Sequence, residues 1–216
     1  MTESTLRADT LLQAYRTGLF PMARGRGSGR IDWFCPDPRA VLPLDDRFKV
    51  RRSLAKRVRN GGFVIARNRQ FREVVEQCAR PRPDSSDTWI SPEIVRVYVE
   101  LHQCGHAHSV EAYRDGRLVG GLYGVSFGGA FFGESMFSRE PDASQVCLVK
   151  LIEHLREREY ALLDTQFVNP HLEQFGVLAI SRSEYLEQLA EAIALPVTWS
   201  DRLDDLKAKF VQGVKS

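Results

Sequence analysis

Two polar residues that alternate on a predicted strand, Asp164 and Gln166, are the first candidates for chemistry in this 216-residue chain. Successive side chains of a strand point to opposite faces, so these two share one face. A carboxyl group with an ordinary pKa of about 3.9 is a weak base at neutral pH. It is better suited to orient and polarise a neighbouring amide, which then positions an incoming group. Taken alone, the pair also fits the polar face of an edge strand.

A second candidate is Glu134, which lies in the segment GESMF on a predicted strand with apolar neighbours. An unpaired charge in such surroundings is costly, so this carboxylate needs a cationic partner. The partner is either an arginine of the chain itself, in a salt bridge, or the cationic group of a ligand.

The run Cys104, His106 and His108 has the residue types of a metal site. These side chains would share a face if all three lay on one strand. Gly105, however, is typical of the end of a preceding helix, and the sequence offers no obvious fourth ligand. The four cysteines form no CxxC pair, so we expect reduced thiols and a structural role for the histidines. We predict no metal and no cofactor.

Charge is divided unevenly along the chain. Residues 1–82 contain 18 lysines and arginines against 8 acidic residues, whereas residues 83–216 contain 12 against 20. The densest basic run, 47–60, predicts a helix at residues 51–60. Clustered cations neutralise the phosphates of a nucleic acid, although a solvated, charged helix face has the same composition. The basic residues of this helix are Arg51, Arg52, Lys56, Arg57 and Arg59.

The location follows from two negative observations. No stretch approaches the ~18 consecutive apolar residues that a membrane-spanning helix needs. The first ten residues, MTESTLRADT, are polar and carry no apolar signal core. We therefore expect a cytoplasmic protein that does not contact a membrane.

The elements that must position these residues form an α+β pattern. The first half predicts three short helices and one strand, and Pro36 and Pro38 predict an extended, irregular segment rather than a central strand. The turn-rich segment 81–87 coincides with the change in charge, so we place a domain boundary between residues 82 and 83.

The second half predicts a regular succession of elements. A helix starts at Ser91, with Pro92 at its first position. Three antiparallel strands follow, with turns at 115–116 and 128–129. A helix at about 143–158, the strand of Asp164, a short strand near 177–180 and a helix at 183–192 complete the pattern. The charged tail from residue 200 predicts a peripheral helix.

Four segments of the second half are unusual in combination: LHQCGHAHSVE, LVGGLYGVSFGGAFFGESMFS, LLDTQFVNPHL and SRSEYLEQL. They resemble the leucyl/phenylalanyl-tRNA–protein transferase family, whose members carry G-H-A-H-S-V/I-E, L-V-G-G-x-Y-G-V, G-E-S-M-F-S and D-x-Q-x-x-N-x-H. In the first half, YRTGLFP, WFCPDPRAVL and TWI are similar to the family's Y-x-x-G-I-F-P, W-W-S-P-D-P-R-A-V-L and T-W-I. The resemblance extends from about Tyr15 to Leu189.

The resemblance implies both a fold and an activity. The catalytic domain, at 83–216, would be similar to the GNAT acyltransferase fold, a mixed sheet flanked by helices. A small N-terminal α+β domain, at 1–82, would precede it. The family transfers leucine or phenylalanine, and also methionine, from aminoacyl-tRNA to proteins that begin with arginine or lysine, which marks them for degradation. Its members are generally monomers.

The implied reaction makes modest demands on the protein. The donor is an activated ester, and the acceptor α-amine has a reference pKa of about 7.7–8.0, so roughly a tenth to a sixth of it is already neutral at pH 7. Holding amine and ester in attack geometry supplies roughly 7–11 kcal/mol of the barrier. Asp164 would orient Gln166, which would position the amine and relay its proton. Glu134 would bind the cationic first residue of the acceptor.

The resemblance also assigns the donor site. Trp89 would stack on the 3′-terminal adenosine, which is worth about 1–3 kcal/mol for such a base. Asn169 and His171 follow Gln166 closely and would support the site without an assigned role. The arginines and the lysine of the 51–60 helix would face tRNA phosphates. The apolar pocket for the leucine or phenylalanine side chain would consist of Leu122, Phe131, Met136, Leu148, Leu151 and Leu163.

Three features depart from the family pattern. Fourteen residues precede Tyr15, where the family usually has a longer segment with G-G-D-L-S. Met22 replaces a tryptophan that helps to hold the terminal adenosine. Gln145 replaces the lysine of the family's A-S-K, which removes a charge from the start of a helix. These changes concern donor affinity and amino-acid preference more than reaction type.

Three other functions compete with this interpretation. An acyl-CoA acyltransferase of the GNAT type needs a Gln/Arg-x-x-Gly-x-Gly/Ala turn that binds pyrophosphate, and no such string precedes the 143–158 helix. A transferase of the same family with altered donor or acceptor preference is a closer alternative. A catalytically idle module that binds tRNA or N-degrons is the third, and the joint presence of Asp164, Gln166 and Glu134 argues against it.

Overall fold

A computed structural model of the chain describes residues 6–81 and 87–199. Its strands are β1 (Phe20–Ala23), β2 (Ile31–Phe34), β3 (Arg39–Leu42), β4 (Val64–Arg67), β5 (Ala107–Arg114), β6 (Arg117–Phe127), β7 (Ala130–Ser138), β8 (Leu162–Gln166) and β9 (Leu178–Ile180). Its helices are α1 (Ala8–Arg16), α2 (Arg52–Arg59), α3 (Phe71–Cys78), α4 (Pro92–Gln103), α5 (Ala143–Glu157), α6 (Pro170–Glu173) and α7 (Arg182–Ala194).

One large sheet organises these elements. It contains seven of the described strands, in the order β4-β5-β6-β7-β8-β3-β9, while β1 and β2 form a separate hairpin. Its neighbours are antiparallel except for β7 and β8, which are parallel. The predicted architecture, a mixed sheet flanked by helices, is therefore confirmed.

Helices cover both faces of the sheet and bury two separate apolar clusters. Helices α1, α3, α4 and α7 contribute to the first cluster. Helices α2 and α5 contribute to the second, on the opposite face. In α3 the buried residues Phe71, Val74, Val75 and Cys78 recur at the spacing of one helical face, which explains why this short segment is helical.

Turn and cap signals in the second half behave as predicted. Asp115 and Gly116 join β5 to β6 in a two-residue turn in which both have positive φ, +50° and +75°. This is the backbone of a type I′ hairpin turn. The side chain of Ser91 caps α4 by accepting a hydrogen bond from the Ile94 amide, and Pro92 is the first residue of that helix.

The sequence analysis predicts that the segment around Pro36 and Pro38 contains no central strand, and this prediction is wrong. The residues directly after Pro38 form β3, which pairs with β8 on one side and β9 on the other. Both prolines precede the strand, so neither removes a donor from its hydrogen bonds. Within β3, Ala40, Val41 and Leu42 are buried, as expected for a strand whose two faces are both covered.

The large sheet takes two strands from the first half of the chain, β3 and β4. The boundary that we place between residues 82 and 83 remains a prediction, because hydrogen bonding within a sheet does not measure independent folding. The helix that we predict from residue 200 lies outside the described residues. In the described ranges, no helix has the length and apolar content to cross a membrane.

Candidate active site

The parallel strands β7 and β8 part from each other midway, and a cavity opens there. Their pairing joins Ala130–Phe132 to Leu162–Asp164, although β7 continues to Ser138. The cavity has a volume of about 490 Å³ and is bordered by the two separated strand ends, by α5 and by the start of α6. A site of this size suits a small molecule or one amino-acid residue with its attached group.

Gln166 ends β8 at the wall of the cavity, in an unusual backbone conformation. The register of β3 with β8 shifts at this point, so Thr165 is an extra residue between the partners of Ala40 and Val41. Gln166 itself has a φ of +62°, which is uncommon for a residue with a side chain. Its Nε2 atom is buried and has no hydrogen-bond partner among the described residues. An unpaired buried amide at a cavity wall is a group that a ligand can engage.

Asp164, two residues before Gln166, accepts a hydrogen bond from the Gln166 backbone and does not itself border the cavity. Its fully buried carboxylate forms a bidentate ion pair with Arg39, with distances of 2.9 Å from Nε to Oδ1 and 2.6 Å from Nη2 to Oδ2. The Gln166 backbone N–H donates to Oδ1 at 2.9 Å, and the Tyr185 hydroxyl donates to Oδ2 at 2.9 Å. Four donors occupy the acceptor sites of the carboxylate. Asp164 therefore contacts Gln166 through the backbone of that residue, and each of its two carboxylate oxygens already accepts two hydrogen bonds.

Glu134 reaches the cavity from the opposite wall because of a second bulge. Tyr123 pairs with Ser135 and Gly124 pairs with Gly133, so Glu134 is the extra residue of β7. Bulges of this kind re-aim a side chain. Its carboxyl oxygens contact two tyrosine hydroxyls, Tyr15 at 2.6 Å and Tyr98 at 2.8 Å.

Burial shapes the electrostatics of Glu134. It raises the pKa of this carboxyl from 4.5 to about 7, against the opposite effect of the two tyrosine hydroxyls. Asp164 raises it further and Arg39 lowers it. Of the two partners that the sequence left open, an arginine of the chain is not the one found, since no salt bridge to Glu134 occurs among the described residues.

The apolar wall of the cavity contains five of the six residues predicted for the aminoacyl pocket, which are Leu122, Met136, Leu148, Leu151 and Leu163. The sixth, Phe131, does not border the cavity. It belongs to the same apolar cluster but packs further along β7, where its ring centroid lies 5.6 Å from that of Trp199. The structure therefore separates Phe131 from the other five.

The remaining predicted neighbours of the site also border the cavity. Trp89 is half-buried at its edge, at the start of the segment that leads into α4. Asn169 caps α6, because its Oδ1 accepts the Leu172 N–H at 3.0 Å, and His171 lies one residue into that short helix. Tyr123 was not predicted for the site, yet it borders the cavity and its buried hydroxyl has no partner among the described residues.

The basic helix α2 packs beside the start of α5. Arg51 and Arg57 form ion pairs with Asp142, the residue before α5, at 2.5 Å and 3.0 Å. Arg51 also donates to the side chain of Gln145 at 3.2 Å. The guanidinium group of Arg51 therefore lies at the start of α5, where Gln145 replaces the lysine of the family pattern. The other three basic residues of the helix, Arg52, Lys56 and Arg59, are exposed.

The sequence interpretation missed the groups that support the two carboxyl residues. Arg39 lies in the string PDPRAVL and Tyr185 in SRSEYLEQL, both of which we used for the family resemblance and not for the site. A charged residue directly before Ala40 and Val41 was the available signal for Arg39, because an arginine beside buried residues needs a partner.

For the run of Cys104 to His108, the described residues contain no cluster of three or more potential metal ligands.

Comparison with known proteins agrees with the motifs. Two sequence models of protein families match the chain, "Leucyl/phenylalanyl-tRNA protein transferase" at residues 41–190 and its "N-terminal domain" at residues 4–37. A leucyl/phenylalanyl-tRNA–protein transferase of Maricaulis maris (strain MCS10) is 50% identical over 208 residues, which cover 96% of each chain. One of Rubrobacter xylanophilus (strain DSM 9941 / JCM 11954 / NBRC 16129 / PRD-1) is 53% identical over 191 residues, 88% of this chain and 96% of that one. A solved ribosomal-protein-alanine N-acetyltransferase from Brucella melitensis biovar Abortus 2308 is 17% identical with a TM-score of 0.37, over 65% of this chain and 96% of that one.

Proposed function

This chain belongs to the leucyl/phenylalanyl-tRNA–protein transferase family, and we propose that it transfers leucine or phenylalanine, and also methionine, from aminoacyl-tRNA to proteins that begin with arginine or lysine. One observation carries the proposal. A single cavity contains an apolar wall, a carboxyl group at Glu134 and an unpaired amide at Gln166. These are the three groups that an apolar donor, a cationic acceptor and the reacting atoms require.

The donor binds at the apolar wall. The side chain of leucine or phenylalanine lies against Leu122, Met136 and Leu151, and these residues offer it no hydrogen bond. Met136 adapts to side chains of different shape, because its thioether is flexible. The 3′-terminal adenosine stacks on Trp89 at the edge of the same cavity. This arrangement leaves the ester bond of the donor between the separated ends of β7 and β8.

The acceptor binds opposite the donor. The cationic side chain of its first residue pairs with Glu134, whose carboxyl group is already directed into the cavity by the bulge of β7. Charge-assisted hydrogen bonds of this kind are roughly twice as strong as neutral ones. A peptide with an acidic first residue offers Glu134 no cation and is rejected.

Gln166 acts where the two substrates meet. The oxygen of its amide accepts a hydrogen bond from the attacking α-amine, and its unpaired Nε2 donates to the ester carbonyl as negative charge develops there. The new C–N bond forms, the C–O bond to the ribose breaks, and the proton of the amine goes to the departing ribose oxygen. Asp164 acts as a positioning residue, because its carboxylate fixes the backbone of Gln166.

Helix α2 provides the surface for tRNA phosphates. Arg52, Lys56 and Arg59 are exposed on it, while Arg51 and Arg57 also brace the start of α5 through Asp142. The protein acts as a monomer in the cytoplasm, where aminoacyl-tRNA is available, and its product is marked for degradation.

The first test is transfer of labelled leucine or phenylalanine from charged tRNA to a peptide that begins with arginine. A peptide of the same sequence that begins with aspartate is the matched control. Labelling of the arginine peptide alone is the expected result. Labelling of the aspartate peptide alone would retain the chemistry and contradict the role of Glu134. A folded, tRNA-binding protein that labels neither peptide would be an idle binding module.

A further inference from the structure

Two tyrosine hydroxyl groups and the carboxyl group of Glu134 form a closed ring beside the cavity. The Tyr15 hydroxyl lies 2.6 Å from Oε1 of Glu134, and the Tyr98 hydroxyl lies 2.8 Å from Oε2. The two hydroxyl oxygens lie 2.5 Å from each other. Both tyrosines are fully buried, and all three distances fall in the range of O–H···O hydrogen bonds.

Counting protons shows which form of Glu134 this ring requires. Each of the three short contacts needs one proton between its oxygens, because a contact without a proton brings lone pairs together. The two hydroxyls supply two protons in total. An ionised Glu134 supplies none, so one contact would be left without a proton. A protonated Glu134 supplies the third and closes the ring, donating at one oxygen and accepting at the other.

We propose that Glu134 is protonated in the empty site, in a ring that Tyr15 and Tyr98 close as positioning residues, and that a cationic acceptor residue displaces this proton. The proposal rests on the proposed function, because it takes the acceptor to bind at Glu134. When the cation binds, the proton leaves Glu134 for solvent. Both hydroxyls then donate to the carboxylate, and the contact between them opens. Charge is conserved, since one cation enters as one proton departs.

The surroundings of Glu134 support a neutral resting state. Three tyrosines face it from separate elements, Tyr15 on α1, Tyr98 on α4 and Tyr123 on β6. Burial raises the pKa of each hydroxyl well above 10, so all three stay protonated. The charged groups nearby, Asp164 and Arg39, are already paired with each other. Burial also raises the pKa of the Glu134 carboxyl to about 7.

This arrangement avoids an isolated buried charge in the absence of substrate. A buried carboxylate without a cation is strongly unfavourable, whereas a neutral acid within a closed ring is satisfied. The tyrosines also make ionisation accessible, because a carboxylate that accepts two hydroxyl hydrogen bonds is stabilised relative to a bare one. They therefore set the pH range in which a cationic acceptor is accepted.

The decisive experiment is a pH titration of the full-length protein with ¹³C-labelled glutamate side chains, followed by NMR. The Glu134 signal is assigned from its loss in Glu134→Gln. We expect it to titrate near neutral pH without acceptor, and to move to the ionised position at pH 6.5 when a peptide that begins with arginine is added. Titration at an ordinary carboxyl pKa of about 4.3 in the empty protein would overturn the proposal.

Kinetics of Tyr15→Phe test the positioning role. Loss of one hydroxyl removes stabilisation from the ionised acid, so the pH profile of KM for the arginine peptide should shift to higher pH. At pH values below the pKa of Glu134, KM should rise about tenfold for each unit by which the pH is lowered. Tyr113→Phe is the matched control, because Tyr113 donates to another buried carboxyl group, Glu111, outside the cavity. A uniform loss of activity with an unshifted profile would show a merely structural role.

The two proposals fail in different ways. If the protein labels the arginine peptide while Glu134 titrates as an ordinary carboxyl group, the proton ring is wrong and the transferase function stands. If no peptide is labelled, the transferase function is wrong, and the titration of the empty protein still decides whether Glu134 is protonated. The wild-type titration also decides the matter if Tyr15→Phe does not fold.

Discussion

The backbone N–H of Gln166 donates a hydrogen bond of 2.9 Å to Oδ1 of Asp164, which lies two residues earlier in the chain. This bond fixes Gln166 at a φ of +62° and directs its side chain to the cavity. The carboxylate is fixed in turn by Arg39 and Tyr185. The buried polar residues Asp164, Arg39 and Tyr185 therefore determine the position of one amide at the end of β8.

Gln166→Gly should separate catalysis from stability. Glycine adopts positive φ without strain, so we expect the free energy of unfolding to change by no more than about 1 kcal/mol. Removal of the amide should lower kcat about 10²–10³-fold, as removal of a donor to a developing oxyanion does. Urea unfolding and single-turnover transfer measure the two quantities. A variant that keeps its full transfer rate would exclude Gln166 from the reaction.

Arg39→Met should destabilise the protein by about 3–5 kcal/mol, because it leaves Asp164 buried without its cation. The double variant Arg39→Met with Asp164→Leu removes both charges and should recover about half of this loss. Neither variant should keep full transfer activity, because the single variant leaves Asp164 without the cation that holds it and the double variant removes the carboxylate that anchors Gln166. Chemical denaturation and transfer assays on both variants test this. Recovery of activity along with stability would mean that the ion pair does not position Gln166.

Glu134→Gln should be more stable than the wild type above pH 4.5, and the difference should reach its full size above about pH 7. Between pH 4.5 and about 7 the folded protein retains a proton that the unfolded chain has lost, so the stability of the wild type falls as pH rises through this window. The resulting cost above pH 7 is about 3 kcal/mol, and glutamine does not incur it. The variant should therefore be the more stable protein at pH 8 and equal to the wild type below pH 4.5. Thermal unfolding at both pH values checks the sign.

The sequence motifs point to residues at and beside the cavity, but not to the groups that support them. Asp164, Gln166 and Glu134 lie within short strings whose residue types carry the resemblance. Their partners lie far along the chain, with Arg39 separated from Asp164 by 125 positions and Tyr15 from Glu134 by 119. No local pattern shows which distant segments meet, because that depends on the order of strands in the sheet.

Strand periodicity failed at the irregular points that matter for function. The alternation of side chains presumes an unbroken register, and both Thr165 and Glu134 interrupt it as bulge residues. The prediction that Asp164 and Gln166 share a face gave no hint of the positive φ at Gln166. Phe131 was assigned to the pocket by motif position alone, and the strings do not show where along β7 the cavity opens.

Met136→Phe should change the choice of donor amino acid. The larger ring occupies part of the cavity, so transfer of phenylalanine should fall more than transfer of leucine, by about tenfold or more in kcat/KM. Phe131→Leu is the matched control, because Phe131 is buried away from the cavity. It should lower stability and leave the ratio of leucine to phenylalanine transfer unchanged. A shift in that ratio for Phe131→Leu alone would relocate the pocket.

The triple variant Arg52→Ala, Lys56→Ala, Arg59→Ala should weaken binding of charged tRNA through lost phosphate contacts. Each contact contributes about 0.7–0.9 to the slope of log affinity against log salt concentration, so the slope should decrease by about 2–3. The matched control replaces three arginines on elements of the other face of the sheet with alanine, namely Arg16, Arg72 and Arg96. Single-turnover transfer at saturating tRNA should stay near the wild-type rate in the first variant, because the cavity is intact. A slope that falls only in the control would place the tRNA on the opposite face, whereas an unchanged slope in both would remove the electrostatic role of α2.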